Sequence, residues 1–314
     1  MSRAPAGFQP NLRIRRLLGP LFGIGCFLAT FTGVVVLLVM LGSIFMAAAG
    51  GEPSHPWYAV GANLGEVIAL IKRVIAARQS SDPSIAGFRT GIVGSIWLLG
   101  MVAVIGIPVG IGAGVFLEEY APPGRIRRIV QTNIANLAGV PSIVYGILGL
   151  ALFVRAFGFR QIALGPCLLA GGLTLSLLIL PMIVIATQEA LRAVPPSIRQ
   201  AALALGATRW QMILGHVLPS ALPGILTGAI LGLSRAIGET APLLMVGAAG
   251  SILRLPRGPL DRYTALPVEI YNYAKEPNRE FQTIAAAGIL ILILILLTMN
   301  GIAIVIRNRF RRFR

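Results

Sequence analysis

Six stretches of this chain are apolar for long enough to cross a lipid bilayer, and that constrains the fold more than any motif does. A helix needs roughly 20 apolar residues to traverse ~30 Å of hydrocarbon. Leu17–Ala48, Gly91–Leu117, Ile134–Phe157, Leu164–Ala186, Ala221–Val246 and Ile284–Ile306 each meet that length to within a few residues. In lipid every backbone N–H and C=O must be bonded internally, so the expected fold is all-α, a polytopic membrane bundle of six transmembrane helices. Charged residues make up 12% of the 314, about half the ~25% of a soluble domain, which argues against a water-soluble fold.

The first stretch follows Arg13, Arg15 and Arg16 and ends in Ala47, Ala48 and Ala49, as a secretory signal would. Its apolar run is about twice the 7–15 residues of a signal core, so it reads as a retained anchor. Lys and Arg concentrate on the cytoplasmic side of membrane proteins. With the N-terminus inside, that side holds fifteen positive side chains against three acids, Glu118, Glu119 and Glu189, and the opposite side eleven against seven. Both termini are therefore expected in the cytoplasm. The net charge of +16 then reflects topology and contact with anionic lipid, and nucleic acid is not an expected partner. Cys26 and Cys167 stand alone inside apolar runs, which excludes a disulfide scaffold. The external loops Gly50–Thr90 and Ala248–Thr283 are long enough for interfacial helices, and Val67–Ala77 is too short and too charged to span.

The segment between the fourth and fifth stretches is the most informative. Pro195 and Pro196 block a helix upstream, and Ser197 with Gln200 has the form of a capping box. Ile198, Ala201, Ala202 and Leu205 fall on one narrow stripe of mostly small side chains. Gly206 sits where a left-handed cap is wanted, and Thr208 with Gln211 repeats the capping pattern for a second short helix ending before Pro219. Two capped helices hinged at a glycine suit insertion into a cleft of a cytoplasmic partner. A surface helix on the bilayer is the alternative, for which the stripe lacks large anchoring residues.

Gln200 to Pro219, QAALALGATRWQMILGHVLP, resembles the EAA loop of ABC-importer permeases, with Ala201, Ala202, Gly206, Leu218 and Pro219 in register. The resemblance implies coupling helices that dock on nucleotide-binding subunits and transmit ATP-driven motion. Gln200 stands where that motif usually has Glu, which removes a carboxylate but keeps the capping role.

The fifth stretch contains LSRAIGETAPLL, Leu233 to Leu244. Arg235 and Glu239 are spaced to share a helix face, and a charge at mid-bilayer costs on the order of 2.5–3.5 kcal/mol. They should face a cavity or a partner, although a snorkelling Arg or a structural ion pair would also account for them. The Arg-then-Glu order is the less favourable one on a helix. Pro242 removes the donor for the carbonyl of Gly238, so Gly238 and Pro242 mark an expected kink or break. An Arg fork suits tetrahedral oxyanions, with Glu239 keeping it from becoming a permanent trap. Thr240 completes the candidate pathway run.

IPVGIGAGVFLEEYA (Ile107–Ala121), NLAGVPSIVYGILG (Asn136–Gly149), RAIGETAPLL (Arg235–Leu244) and ALPVEIYNYA (Ala265–Ala274) are together similar to the PstA-type permease of the phosphate-specific ABC importer. The likeness runs over most of Gly87–Ile306. It implies a type I importer permease with inorganic phosphate as substrate and Arg235 with Glu239 in its passage. The implied partners are a paralogous PstC-type permease, a PstB-type ATPase dimer and an external PstS-type phosphate-binding protein, in a bacterial inner membrane. On this reading the chain divides into a cytoplasmic tail (1–16), an anchor helix (17–49), an external loop (50–86), a permease domain (87–306, coupling loop 187–220) and a basic tail (307–314).

Other features are less specific. Gly106, Gly110 and Gly114 make small-xxx-small steps that allow close helix contact. Ser142 and Tyr145, beside Pro141, would line a pathway or bond a neighbouring helix. The Ile/Leu run from Ile289 to Leu297 is expected to face lipid. There is no G-x-x-x-x-G-K-[ST] nucleotide loop, so ATP with its Mg would be used by another chain, and no cofactor or metal is expected on this one. His55 and His216 are expected on opposite sides of the membrane. The competing functions are a permease for another oxyanion such as sulfate or molybdate, a stand-alone anion channel or carrier, and a non-transporting scaffold.

Overall fold

A computed structural model describes residues 12–49, 60–159, 163–248 and 254–312. Arg3, His55, Arg160 and Arg314 lie outside them. The described chain is helical, in the order α1 (Leu12–Ala48), α2 (Val60–Ala76), α3 (Arg89–Tyr120), α4 (Arg125–Ala138), α5 (Ser142–Val154), α6 (Leu168–Arg192), α7 (Pro196–Ala204), α8 (Arg209–Gly238), α9 (Ala241–Val246), α10 (Leu266–Lys275) and α11 (Arg279–Arg312). Helices α1, α3, α6, α8 and α11 are each long and apolar enough to span, and the bent pair α4–α5 passes the same test only when its two arms are taken together.

The third stretch corrects the expectation of one straight span over Ile134–Phe157: α4 and α5 meet at 105°. Pro141 explains the break, because it lacks an N–H and its ring forces the preceding Val140 away from helical geometry. The helix before the break, RIRRIVQTNIANLA, buries none of its residues. The fifth stretch is also corrected. Helix α8 starts at Arg209, not Ala221, and runs through Pro219 without stopping. It does so by a wide π turn at Ile213–Val217, where the Leu218 N–H bonds the carbonyl of Ile213, five residues back. The wide turn spaces the backbone ahead of the proline ring, which would clash with a carbonyl four residues back in a regular helix. A second π turn, Val102–Gly106, stands ahead of Pro108 in α3 in the same way.

Helix α6 is the centre of the bundle, with fifteen of its residues buried. Two glycine ladders let its neighbours approach closely. On one side Gly110 and Gly114 of α3 face Ile183 and Thr187, where an added Cβ would come within 2.7 Å of each side chain. On the other, Gly224 and Gly228 of α8 face Ala190 and Ala186. The core joining them includes Leu98, Val102, Leu175, Ile179, Ile183, Ala236 and Leu243.

Helix α1 is attached at one end. Ile44, Phe45 and Ala48 pack with Val67, Ala286 and Ala287 of α2 and α11, while Leu21 to Met40 remain largely exposed. In α11, Leu294 and Leu297 are exposed as expected of a lipid-facing run, but Ile291 is buried. Farther along α11, Asn300 accepts from Ser234 at 2.6 Å, a polar tie to α8. The loop Ala248–Thr283 holds α10, which is a core element and not an interfacial helix: Leu266 to Ile270 are all buried. Tyr273 of α10 sits between Phe88 and Phe281 with both ring centroids at 5.4 Å.

Candidate functional site

Helix α8 stops at Gly238, and Glu239 (φ −78°, ψ 119°) is extended. The break expected beside Pro242 is therefore present, and Pro242 falls in the first turn of α9, where its missing N–H costs no helical bond. This changes the geometry of the charged pair. Arg235 is in the last helical turn and Glu239 lies just beyond the helix, so the two do not share a helix face. They still meet, Arg235 Nε donating to Glu239 Oε1 at 3.2 Å. A cation in the last turn suits the negative end of the helix dipole. The Arg235 side chain is 38% exposed and that of Glu239 is 17% exposed, so part of the fork stays available for a ligand.

Pro242 is also where α5 crosses α9. A Cβ on Gly146 would lie 2.7 Å from Pro242 Cα. One residue earlier, Tyr145 is buried and its hydroxyl donates to the carbonyl of Leu137 at 2.8 Å. That bond spans the bend from α5 to α4, so Tyr145 holds the two arms at their angle. Ser142, in the first turn of α5, and Thr240, in the break, are both half-buried. The structure thus brings Arg235, Glu239, Thr240 and Pro242 into one irregular segment, with the Tyr145–Gly146 step of α5 packed against its proline.

The second candidate region is the elbow of α7 and the start of α8. Gly206 has φ +82°, the left-handed conformation expected there, and the N–H of Ala207 bonds the carbonyl of Ala202. The Thr208 capping box is formed: Gln211 N–H donates to Thr208 Oγ1 at 3.3 Å and Thr208 N–H to Gln211 Oε1 at 2.9 Å. The box expected at Ser197–Gln200 is not formed. Helix α7 begins at Pro196, with Pro195 as its N-cap, because proline is pre-set for the first helical position. That leaves Ser197 inside the helix.

The small-residue stripe also turns out differently. Ala202 is buried against Leu191, Met212, Ile213 and Val217, whereas Gln200, Ala201 and Pro219 are exposed and Leu218 is half-buried. The bulky apolar side chains on the free surface are Leu203, Leu205, Trp210 and Leu214, with Leu205 88% exposed.

Sequence reasoning missed two polar features. Glu269 of α10 is completely buried beside Gly91 of α3, and no hydrogen bond of good geometry reaches either carboxyl oxygen among the described residues. Burial pushes its pKa up to about 8, with the nearby Gly91 N–H offsetting part of the shift. The other is a set of ion pairs at the elbow end of the bundle, where Glu118 and Glu119 meet Arg127, Arg192 and Arg199.

A sequence model for the family described as binding-protein-dependent transport system inner membrane component matches residues 106–312. The chain belongs to that family. It is 33% identical over 305 residues to the phosphate transport system permease protein PstA 1 of Mycobacterium tuberculosis (strain CDC 1551 / Oshkosh), a match spanning 96% of this chain and 93% of that protein. It is 39% identical over 170 residues to the probable ABC transporter permease protein YqgI of Bacillus subtilis (strain 168), spanning 54% of this chain but only 56% of the relative's length.

Solved structures agree on the fold. A chain of the inward-facing MetNI methionine ABC transporter superposes with a TM-score of 0.57 at 22% identity, covering 74% of this chain and 99% of that one. A chain of the bacterial ABC transporter that imports alginate gives 0.60 at 16% identity, covering 94% and 99%. The bundle is a type I ABC-importer permease fold, and the chain is a non-catalytic transmembrane subunit of a transport system.

Proposed function

We propose that this permease forms, with a paralogous permease, the path of an ATP-driven inorganic phosphate importer in the bacterial plasma membrane. Both termini lie inside, and the elbow of α7 and α8 docks on a cytoplasmic ATPase dimer that uses ATP and Mg. An external phosphate-binding protein delivers the anion. The observation that carries the reading is the half-exposed Arg235 fork held by Glu239 at a helix break. Irregular backbone at membrane depth is tolerated only where protein or water covers it, and a guanidinium there offers bidentate recognition of a tetrahedral oxyanion. Similarity to PstA 1 over nearly the whole chain supports phosphate over sulfate or molybdate. The elbow's exposed Leu205 and Trp210 supply the apolar area that a cytoplasmic partner would cover.

The test is uptake by the heteromeric complex in proteoliposomes with competing anions. Phosphate transport resistant to excess sulfate and molybdate, and lost in Arg235→Ala while the subunits still co-purify, is the expected result. Uptake unchanged in Arg235→Ala would overturn the pathway assignment, and preferential uptake of sulfate or molybdate would overturn the substrate.

A further inference from the structure

Glu118 and Glu119 are adjacent in sequence, yet they engage different elements. Both lie in the π turn Phe116–Tyr120 that ends α3. Glu118 accepts from Arg127 of α4 at 3.1 Å and from both Nε and Nη2 of Arg192, at the end of α6, at 3.1 Å. Glu119, only 8% exposed, accepts from Arg199 of α7, with Nη2 at 2.7 Å and Nε at 3.2 Å. The rest of the Arg199 fork is also used. Its Nη1 donates to the carbonyl of Val194 and its Nη2 to the carbonyl of Leu191, both at 2.8 Å. These carbonyls lie at and just beyond the C-terminal turn of α6, where helical partners run out.

One guanidinium therefore grips three elements at once: its own helix α7, the end of α3 through a carboxylate, and the end of α6 through two carbonyls. A rigid planar fork holds such a junction in a fixed orientation, which a flexible ammonium does not. Apart from these bonds, α7 is held by one apolar contact, its buried Ala202 and half-buried Ile198 packed on the cluster of Leu191, Met212, Ile213 and Val217. Its outer side carries the exposed Leu203 and leads to the exposed Leu205. Beside that apolar contact and the short chain connections to α6 and α8, the Arg199 fork is a polar route from that surface into the ends of α3 and α6.

We propose that the Arg199–Glu119 pair, with the Leu191 and Val194 carbonyls, is the mechanical tie that carries movement of α7 into the second and fourth spans. Arg199 and Glu119 are thereby positioning residues, acting through the helices they join. The proposal rests on the reading of α7 as the element that meets an ATPase.

The test uses the complete complex, with its ATPase and binding protein, in proteoliposomes, and reads phosphate taken up per ATP hydrolysed. A merely structural residue would change abundance or assembly and leave that ratio unmoved. Glu119→Gln and Arg199→Lys are expected to keep the ATPase bound and hydrolysing within about twofold of the parent, while uptake per ATP falls at least about tenfold. Both variants keep polar groups of similar size, so assembly is checked by co-purification, and Glu119→Gln carries the test if Arg199→Lys does not assemble. An unchanged ratio in an assembled variant overturns the tie. Loss of the ATPase from Glu119→Gln assigns the pair to docking and also overturns it. A parent complex that captures no ATPase contradicts the underlying reading of α7 itself.

Discussion

Gly146 and Pro242 bring the bent span and the broken span into backbone contact: a Cβ on Gly146 would lie 2.7 Å from Pro242 Cα and 3.0 Å from Met245 Cβ. The contact matters because Pro242 closes the break that frees Glu239, and Gly146 follows the tyrosine that fixes the bend. Displacing one arm therefore shifts the surroundings of the Arg235–Glu239 pair. Gly146→Val is expected to overpack this crossing by about 1–3 kcal/mol, lowering the thermal midpoint of the detergent-solubilised complex and reducing uptake. An unchanged midpoint would mean that the two arms are not in contact.

Arg235→Lys keeps the charge and removes the fork. If the guanidinium both holds Glu239 and recognises the anion, uptake should fall by roughly tenfold, the ~1.4 kcal/mol scale of one lost charge-assisted hydrogen bond. Uptake kinetics over a range of external phosphate check this. Full activity with lysine would reduce Arg235 to a point charge.

Gly206 is held at φ +82°, which proline, fixed near −65°, cannot adopt. Gly206→Pro should distort the elbow and abolish ATP-driven uptake while the protein remains in the membrane. Gly206→Ala, which carries a left-handed penalty of about 1–2 kcal/mol, should be milder. Membrane abundance by immunoblot beside uptake separates the outcomes, and normal uptake by the proline variant would refute coupling through this elbow.

Much of this was legible in the sequence, and the gaps have physical causes. Apolar length located the five long helices because hydrocarbon thickness sets it, and Gly206, Thr208 and Pro242 marked their local geometry because each acts through its own backbone. The bend at Val140–Pro141 carried a readable signal, the bias of a pre-proline residue away from helix, but the apolar run through it looks continuous. Span ends were less legible, since π turns let α3 and α8 run past their prolines. Glu269 gave no sign: within PVEIYNYA it looks like part of a polar external loop, and only the packing of α10 buries it. The partners of Glu118 and Glu119, Arg192 and Arg199, are 74 and 80 residues away, beyond any local pattern.

Glu269 also gives the complex a pH signature. Burial raises its carboxyl pKa from the ordinary 4.5 of the unfolded chain to about 8. Between those values the folded state holds a proton that the unfolded state has released. Stability should therefore fall as pH rises from about 4.5 to about 8, by at most ~1.4 kcal/mol per pH unit for one proton. Glu269→Gln should remove that part of the slope and be the more stable form at pH 8. Thermal unfolding of both proteins from pH 5 to pH 8 checks it, and parallel profiles would place Glu269 in water.

Substituting Thr208 isolates the capping box from the rest of the elbow. Thr208→Ala should cost about 1 kcal/mol and lower the thermal midpoint slightly. Co-purification of the ATPase should persist, since Leu205 and Trp210 remain exposed.

The most direct measurement is radiolabelled phosphate uptake into proteoliposomes holding either this chain alone or the chain with its paralogous permease, ATPase dimer and external binding protein, with and without ATP. Uptake is expected only in the complete assembly and only with ATP. Phosphate flux through the chain alone, without ATP, would contradict a subunit that takes its energy from a partner.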